Sequence, residues 1–125
     1  MNYVISISSN YNAEENIARA KEILSKEFSN VRFSSSVNTD PVGNGYPDMK
    51  YTNSAVSLHS PLTPEQLDSF LKSIEVKLGR TCELRLKKIV PIDLDIIIID
   101  KHIVHKDYKR FPFLRRLIAE IRPFI

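Results

Sequence analysis

The order of periodic segments along this chain predicts an α+β fold: an antiparallel sheet built in β-α-β-β-α-β order, with an added C-terminal helix. Three observations carry that expectation. Residues 3–9 alternate Tyr3, Ile5 and Ile7 with Val4, Ser6 and Ser8, the period of a strand. Two amphipathic helical stretches follow, each after strand-like sequence. A β-branched run over 93–100, opening Asp93-Leu94-Asp95-Ile96, closes the pattern before the last helix.

Each element has its own signal. Asn12 followed by Glu15 can cap a first helix, whose stripe is Ile17, Ala20, Leu24 and Phe28 and whose stop is Ser29-Asn30. Residues 31–37 read as a serine-rich second strand. Pro41, Gly43, Gly45 and Pro47 mark 40–49 as a loop. Residues 51–58 read as a third strand. Thr63 is a good N-cap, Pro64 fits the first helical position and Gln66 completes a capping box. Leu67, Phe70, Leu71, Ile74 and Leu78 form the stripe of that second helix, and Gly79 suits its left-handed end. Residues 80–90 are a basic connector, and 93–100 are the fourth strand. Residues 101–108 read as a short hairpin return. A last helix over 111–121 turns Leu114, Leu117, Ile118 and Ile121 inward. This order is the ferredoxin-like split βαβ arrangement, with the two long helices on one face and the loops and other face open to a ligand.

Composition bounds the rest. The 125 residues fit one domain, 1–125, and 42% apolar with 26% charged residues is a globular balance. A net charge of +3 suits an anionic small ligand and is too weak to imply nucleic acid. The single cysteine, Cys82, excludes an intrachain disulfide framework. The longest strongly apolar run, 96–99, is too short to span a membrane, and no signal-peptide pattern opens the chain. A cytoplasmic monomer is expected.

Three groups of residues invite chemistry. Asp93 and Asp95, two apart on a strand, project to one side. Paired carboxylates repel unless a cation lies between them, and hard oxygen ligands suit magnesium with phosphate. The same spacing also suits two solvated aspartates where a strand emerges. Arg80, Arg85, Lys87 and Lys88 precede that pair and can meet phosphoryl oxygens, or they form a solvated loop. Tyr51 and Asn53 share a strand face, where an aromatic plane and an amide can hold a flat heterocycle. His59, His102 and His105 show no ligand spacing and are expected to be chemically idle.

Together these features resemble the 6-hydroxymethyl-7,8-dihydropterin pyrophosphokinases of folate biosynthesis over nearly the whole chain. The residues that carry the resemblance are Tyr3-Val4-Ile5-Ser6-Ile7-Ser8-Ser9-Asn10, with Ser8 where the family has glycine, and Thr39-Asp40-Pro41-Val42-Gly43. They continue with Tyr51-Thr52-Asn53-Ser54-Ala55-Val56, Leu62-Thr63-Pro64-Glu65-Gln66-Leu67, Glu75 with Gly79-Arg80, Ile92-Asp93-Leu94-Asp95-Ile96, and Glu120-Ile121. The resemblance implies a ferredoxin-like fold and transfer of diphosphate from ATP to the pterin hydroxymethyl group, releasing AMP. It implies two magnesium ions on Asp93 and Asp95, bridging the phosphates. Thr39, Val42 and Asn53 would line the pterin pocket, and Tyr51 and Phe113 would sandwich the ring. Glu75, Arg80, Arg85 and Lys88 would lie at the nucleotide, with Arg80, Lys87 and Arg110 assisting catalysis.

The connector departs from the family pattern. The arginines expected at Cys82 and Val90 and the tryptophan expected at Lys87 are absent. A Pro-His segment before the last helix is missing, and Arg110 stands near the expected phosphate-binding arginine. Lys87, Lys88, Arg85 and Arg110 can compensate as point charges, without the planar two-pronged contact of the lost arginines. Two other readings stay open: a weak or inactive relative that binds a pterin-like heterocycle, and a ferredoxin-like interaction module.

Overall fold

A computed structural model of the chain describes residues 1–40 and 50–121. The elements run β1 (Asn2–Ser9), α1 (Ala13–Glu27), β2 (Ser29–Phe33), β3 (Val37–Thr39), β4 (Tyr51–His59), α2 (Pro64–Lys77), α3 (Cys82–Leu86), β5 (Asp93–Ile99), β6 (His102–Ile103), α4 (Asp107–Arg110) and α5 (Pro112–Ile121). The sheet has the order β2-β4-β1-β5-β6, with β3 also paired to β4, and these pairings are all antiparallel. This is the ferredoxin-like arrangement the element order predicts.

The two faces of the sheet carry separate apolar clusters. Tyr3, Ile5, Ile7, Val56, Leu58 and Leu94 turn toward α1 and α2, and pack on Ile17, Leu24, Leu67 and Leu71. Val4, Ala55, Ile97 and Ile98 turn the other way, against Leu114, Leu117, Ile118 and Ile121 of α5. The face expected to be open is therefore partly covered, because an amphipathic helix must bury its stripe somewhere.

Local chemistry explains where the elements differ from expectation. The strand expected over 31–37 is two short strands. Between them the Ser34 hydroxyl accepts the Ala55 N–H at 2.8 Å, and Glu120 of α5 accepts the Ser35 N–H at 2.8 Å and its hydroxyl at 2.7 Å. The Ser34 N–H still donates to the Ala55 carbonyl at 2.8 Å, but the return bond of the ladder is taken by a side chain. Asn12 does not cap α1 with its side chain. It takes a left-handed φ of 44°, while the Asn16 amide donates to the Tyr11 carbonyl at 2.8 Å. The basic connector contains the short helix α3, capped by Thr81, and the hairpin return over 101–108 becomes β6 followed by α4.

The second helix forms as its sequence dictates. Thr63 and Gln66 make a complete capping box, with Pro64 in the first turn. At the other end Gly79 has φ +105°, its N–H donates to the Val76 carbonyl at 3.1 Å, and the Arg80 N–H donates to the Glu75 carbonyl at 3.0 Å. This Schellman pair ends the helix and folds Arg80 back over Glu75. A Cβ at position 79 would meet no neighbouring atom within 4 Å, so the constraint there is backbone conformation alone. Gly79→Ala is expected to lower stability by about 1–2 kcal/mol, read as a shift of the urea midpoint. An unchanged midpoint would show that the helix end tolerates a side chain.

Candidate functional site

The site grows from strand register. β1 lies between β4 and β5, and Ser8 pairs with Asn53 on one side and Asp93 on the other. Directly opposed residues point to the same face, so Asn53, Ser8 and Asp93 form a row across three strands. Asp95 opposes Ser6 in a parallel row. The small serines leave a floor, and a cavity of about 350 Å³ stands on it. Its wall includes Tyr51, Phe111, Phe113 and Leu114, and its polar lining includes Asn53, Thr39, Asp93 and Asp107. Five residues expected from sequence therefore meet here: Thr39, Tyr51, Asn53, Asp93 and Phe113. Val42 lies outside the described residues.

Asn53 is buried, and its amide is already engaged. Its Oδ1 accepts the Ser8 hydroxyl at 2.9 Å, and its Nδ2 donates to Thr39 Oγ1 at 2.8 Å and to the Val37 carbonyl at 3.2 Å. The amide orientation is thereby fixed, and its carbonyl oxygen can accept a second hydrogen bond. The aromatic wall is pre-assembled too: the Phe111 and Phe113 ring centroids lie 5.4 Å apart. Burial first, and then the Asp93 carboxylate, push the Tyr51 hydroxyl above its ordinary pKa.

At the other end of the row lies a charge cluster. Arg80 Nη1 is 2.9 Å from Asp93 Oδ1 and 3.0 Å from Glu75 Oε1. Lys72, which the sequence reading passed over, is 3.3 Å from Glu75 Oε2 and 3.6 Å from Asp95 Oδ1. Glu75 is 4% exposed, and its Oε2 accepts the Leu94 N–H at 2.8 Å. Burial pushes its carboxyl up, with Leu94, Lys72 and Arg80 pulling in the opposite direction. Glu75, expected at a nucleotide, is thus occupied within the fold as the anchor of both cations.

Asp107, which the sequence does not single out, and His105 lie close by. The turn after β6 brings both to Asp95, and one potential ligand atom from each of the three lies within 4.8 Å of the others. His105, expected to be idle, stands beside two carboxylates. No spacing rule reveals it, because a tertiary turn makes the proximity. The His105 Nδ1 accepts the Asp107 N–H at 3.1 Å.

Asp95 is pushed up to about 6, from an ordinary 3.8, by burial and then by Asp93, with Lys72 and His105 opposing. A hard-oxygen donor set whose members repel one another fits a divalent cation such as magnesium. The connector cations stand elsewhere. Arg85, Lys87 and Lys88 are exposed, Lys87 is 3.8 Å from Glu83, and none of the three lines the cavity. Arg110 is exposed, with its guanidinium 5.1 Å from the Phe111 ring centroid.

A family model described as 7,8-dihydro-6-hydroxymethylpterin-pyrophosphokinase matches residues 4–123. A search of curated proteins finds no match to the chain. Among the described residues no helix is long and apolar enough to cross a membrane.

The carboxylate cluster has a stability consequence. With its pKa raised to about 6, Asp95 favours the folded state below its ordinary 3.8, and this contribution is lost as pH rises through 6. At pH 7.5 and without divalent metal, Asp95→Asn is expected to stabilise the protein by about 1–2 kcal/mol, seen as a higher melting temperature. A lower or unchanged melting temperature would show that the carboxylates are not in net repulsion.

Proposed function

This chain belongs to the 7,8-dihydro-6-hydroxymethylpterin-pyrophosphokinase family, and from that premise we propose that it transfers diphosphate from ATP to 6-hydroxymethyl-7,8-dihydropterin. AMP is the second product, and the reaction serves folate biosynthesis. The observation that carries this reading is the row Asn53, Ser8, Asp93, which puts an aromatic-walled cavity directly beside a carboxylate cluster. A flat heterocycle and a phosphate-bearing co-substrate need that adjacency.

In this reading the pterin ring lies in the cavity with Tyr51 and Phe113, and offset aromatic contact holds its plane. The Asn53 carbonyl keeps a lone pair for a ring N–H, and Thr39 lies beside it. Ser8 fixes the amide so that no flip has to be undone on binding. The hydroxymethyl oxygen attacks the β-phosphorus of ATP and gives its proton to solvent, the bond from that phosphorus to the α,β-bridging oxygen breaks, and AMP departs with the oxygen. Asp93 and Asp95 would hold magnesium, with Asp107 and His105 within reach of Asp95. Bound there, magnesium supplies charge neutralisation on the phosphoryl oxygens.

Arg80 is the best-placed arginine for phosphate. Its contacts with Glu75, Asp93 and the Ile92 carbonyl all use Nη1, and among the described residues Nε and Nη2 make no hydrogen bond. Lys87, Lys88, Arg85 and Arg110 contribute as mobile-headed cations at longer range, where a lysine acts as a point charge. A binding-only relative is the second reading. It is favoured by the position of Arg85, Lys87 and Lys88 outside the cavity lining.

A product assay separates the two. Protein mixed with magnesium, ATP and 6-hydroxymethyl-7,8-dihydropterin is expected to form AMP only when the pterin is present. AMP formation is expected to disappear in Asp95→Ala. Phe113→Ala is expected to weaken pterin binding by ~1–2 kcal/mol in a calorimetric titration, with the circular dichroism unchanged. Pterin binding without AMP would favour the second reading, and undiminished binding by Phe113→Ala would remove that ring from the site.

A further inference from the structure

The charge cluster contains one cation without a role in the reaction above. Lys72 is carried on α2, and its Nζ has three partners: it donates to Glu75 Oε2 at 3.3 Å and to the Leu94 carbonyl at 3.2 Å, and forms an ion pair with Asp95 Oδ1 at 3.6 Å. The first two tie the amine to the edge of β5. The third is a proposed magnesium ligand. An ammonium beside that carboxylate has the same sign of charge as an arriving metal ion.

We propose that Lys72 is a resident counter-cation that competes with the divalent ion for Asp95 and so sets how tightly the site holds metal before nucleotide arrives. The inference rests on the metal-dependent reading of this site and deepens it. Its physical basis is position. Asp93 has Arg80 at 2.9 Å and Asp95 has Lys72 at 3.6 Å, so each aspartate carries a protein cation of its own, and Glu75 joins the two cations.

Partial burial disfavours the charge on Lys72, but Glu75 and Asp95 outweigh it and hold the amine above its ordinary pKa. A unit charge a few ångström from a divalent ion changes its affinity on the order of tenfold even at a water-like dielectric. The free protein would then hold metal weakly, and the phosphates of an incoming nucleotide would offset the lysine charge. Metal and nucleotide would favour each other's binding for that reason.

The test titrates the full chain with Mn2+ alone at pH 8, reading free Mn2+ by electron paramagnetic resonance. The proteins are wild type, Lys72→Met, Lys72→Gln, Lys72→Arg and Asp95→Asn. The two neutral variants are expected to bind Mn2+ about tenfold more tightly than wild type. Lys72→Arg is expected to keep wild-type affinity, and Asp95→Asn to lose binding. Equal or weaker binding by the neutral variants, in protein that melts cooperatively, would overturn the proposal while leaving the metal site standing. Either neutral variant suffices if the other fails to fold. Absence of Mn2+ binding in every protein would overturn the metal-dependent reading itself, and the role of Lys72 with it.

Discussion

The buried carboxylate of Glu75 is the constraint on which the rest of the site depends. β6 pairs with β5 at Ile98 and Ile99, and among the described residues no strand lies beside the outer edge of β5 near Leu94. Backbone groups left so would need other partners. α2 supplies them: Glu75 accepts the Leu94 N–H, and Lys72 donates to the Leu94 carbonyl. Leu94 is the residue between the two aspartates. The same pair of side chains therefore completes the sheet edge and sets the position of the acidic pair. A buried carboxylate is tolerable because it is multiply hydrogen-bonded and paired, and removing one partner of such a pair is costly.

That anchoring makes the helix end part of the site. Gly79 allows the chain to reverse immediately after α2, and the reversal carries Arg80 back to Glu75 and Asp93. A different helix end would put Arg80 in solvent. The two cations and three carboxylates of this cluster thus depend on a backbone motif as much as on charge. The remaining components are set by register. Ser6 and Ser8 on β1 are small, and this leaves space between Asn53 and Asp93 where larger residues would fill the floor. α5 contributes Phe113 and Leu114 to the wall while burying Leu117 and Ile118 beneath it. One helix both closes the second core and shapes the cavity.

Legibility in the sequence followed the range of the interactions. The capping box of α2, its glycine stop, the apolar stripe of α5 and the alternation of β1 are local, and the sequence reading located all four. The split of the second strand was hidden, because it depends on Glu120 reaching Ser35 from a distant helix. The side-chain cap expected of Asn12 is absent because that residue takes a left-handed conformation, whereas a capping side chain needs extended backbone. Of the residues that line the candidate cavity, Tyr51, Asn53 and Asp93 stand in short motifs, and Phe113 was expected from the family resemblance. Lys72 and Asp107 were not singled out and His105 was expected to be idle, since nothing in their own neighbourhoods distinguishes them from solvated surface residues.

By itself the sequence determined the element order, the two amphipathic helices that face the sheet, the family and the strand that carries the paired aspartates. These follow from periodicity and from short motifs, which are properties of neighbouring residues. Only the tertiary structure decided which charges meet. It placed Glu75 in the interior, gave Asp95 a lysine from α2 and a histidine from the turn after β6, and left Arg85, Lys87 and Lys88 outside the cavity lining. The physical reason is that electrostatic strength depends on distance and burial, and both are fixed only when the helices have docked on the sheet.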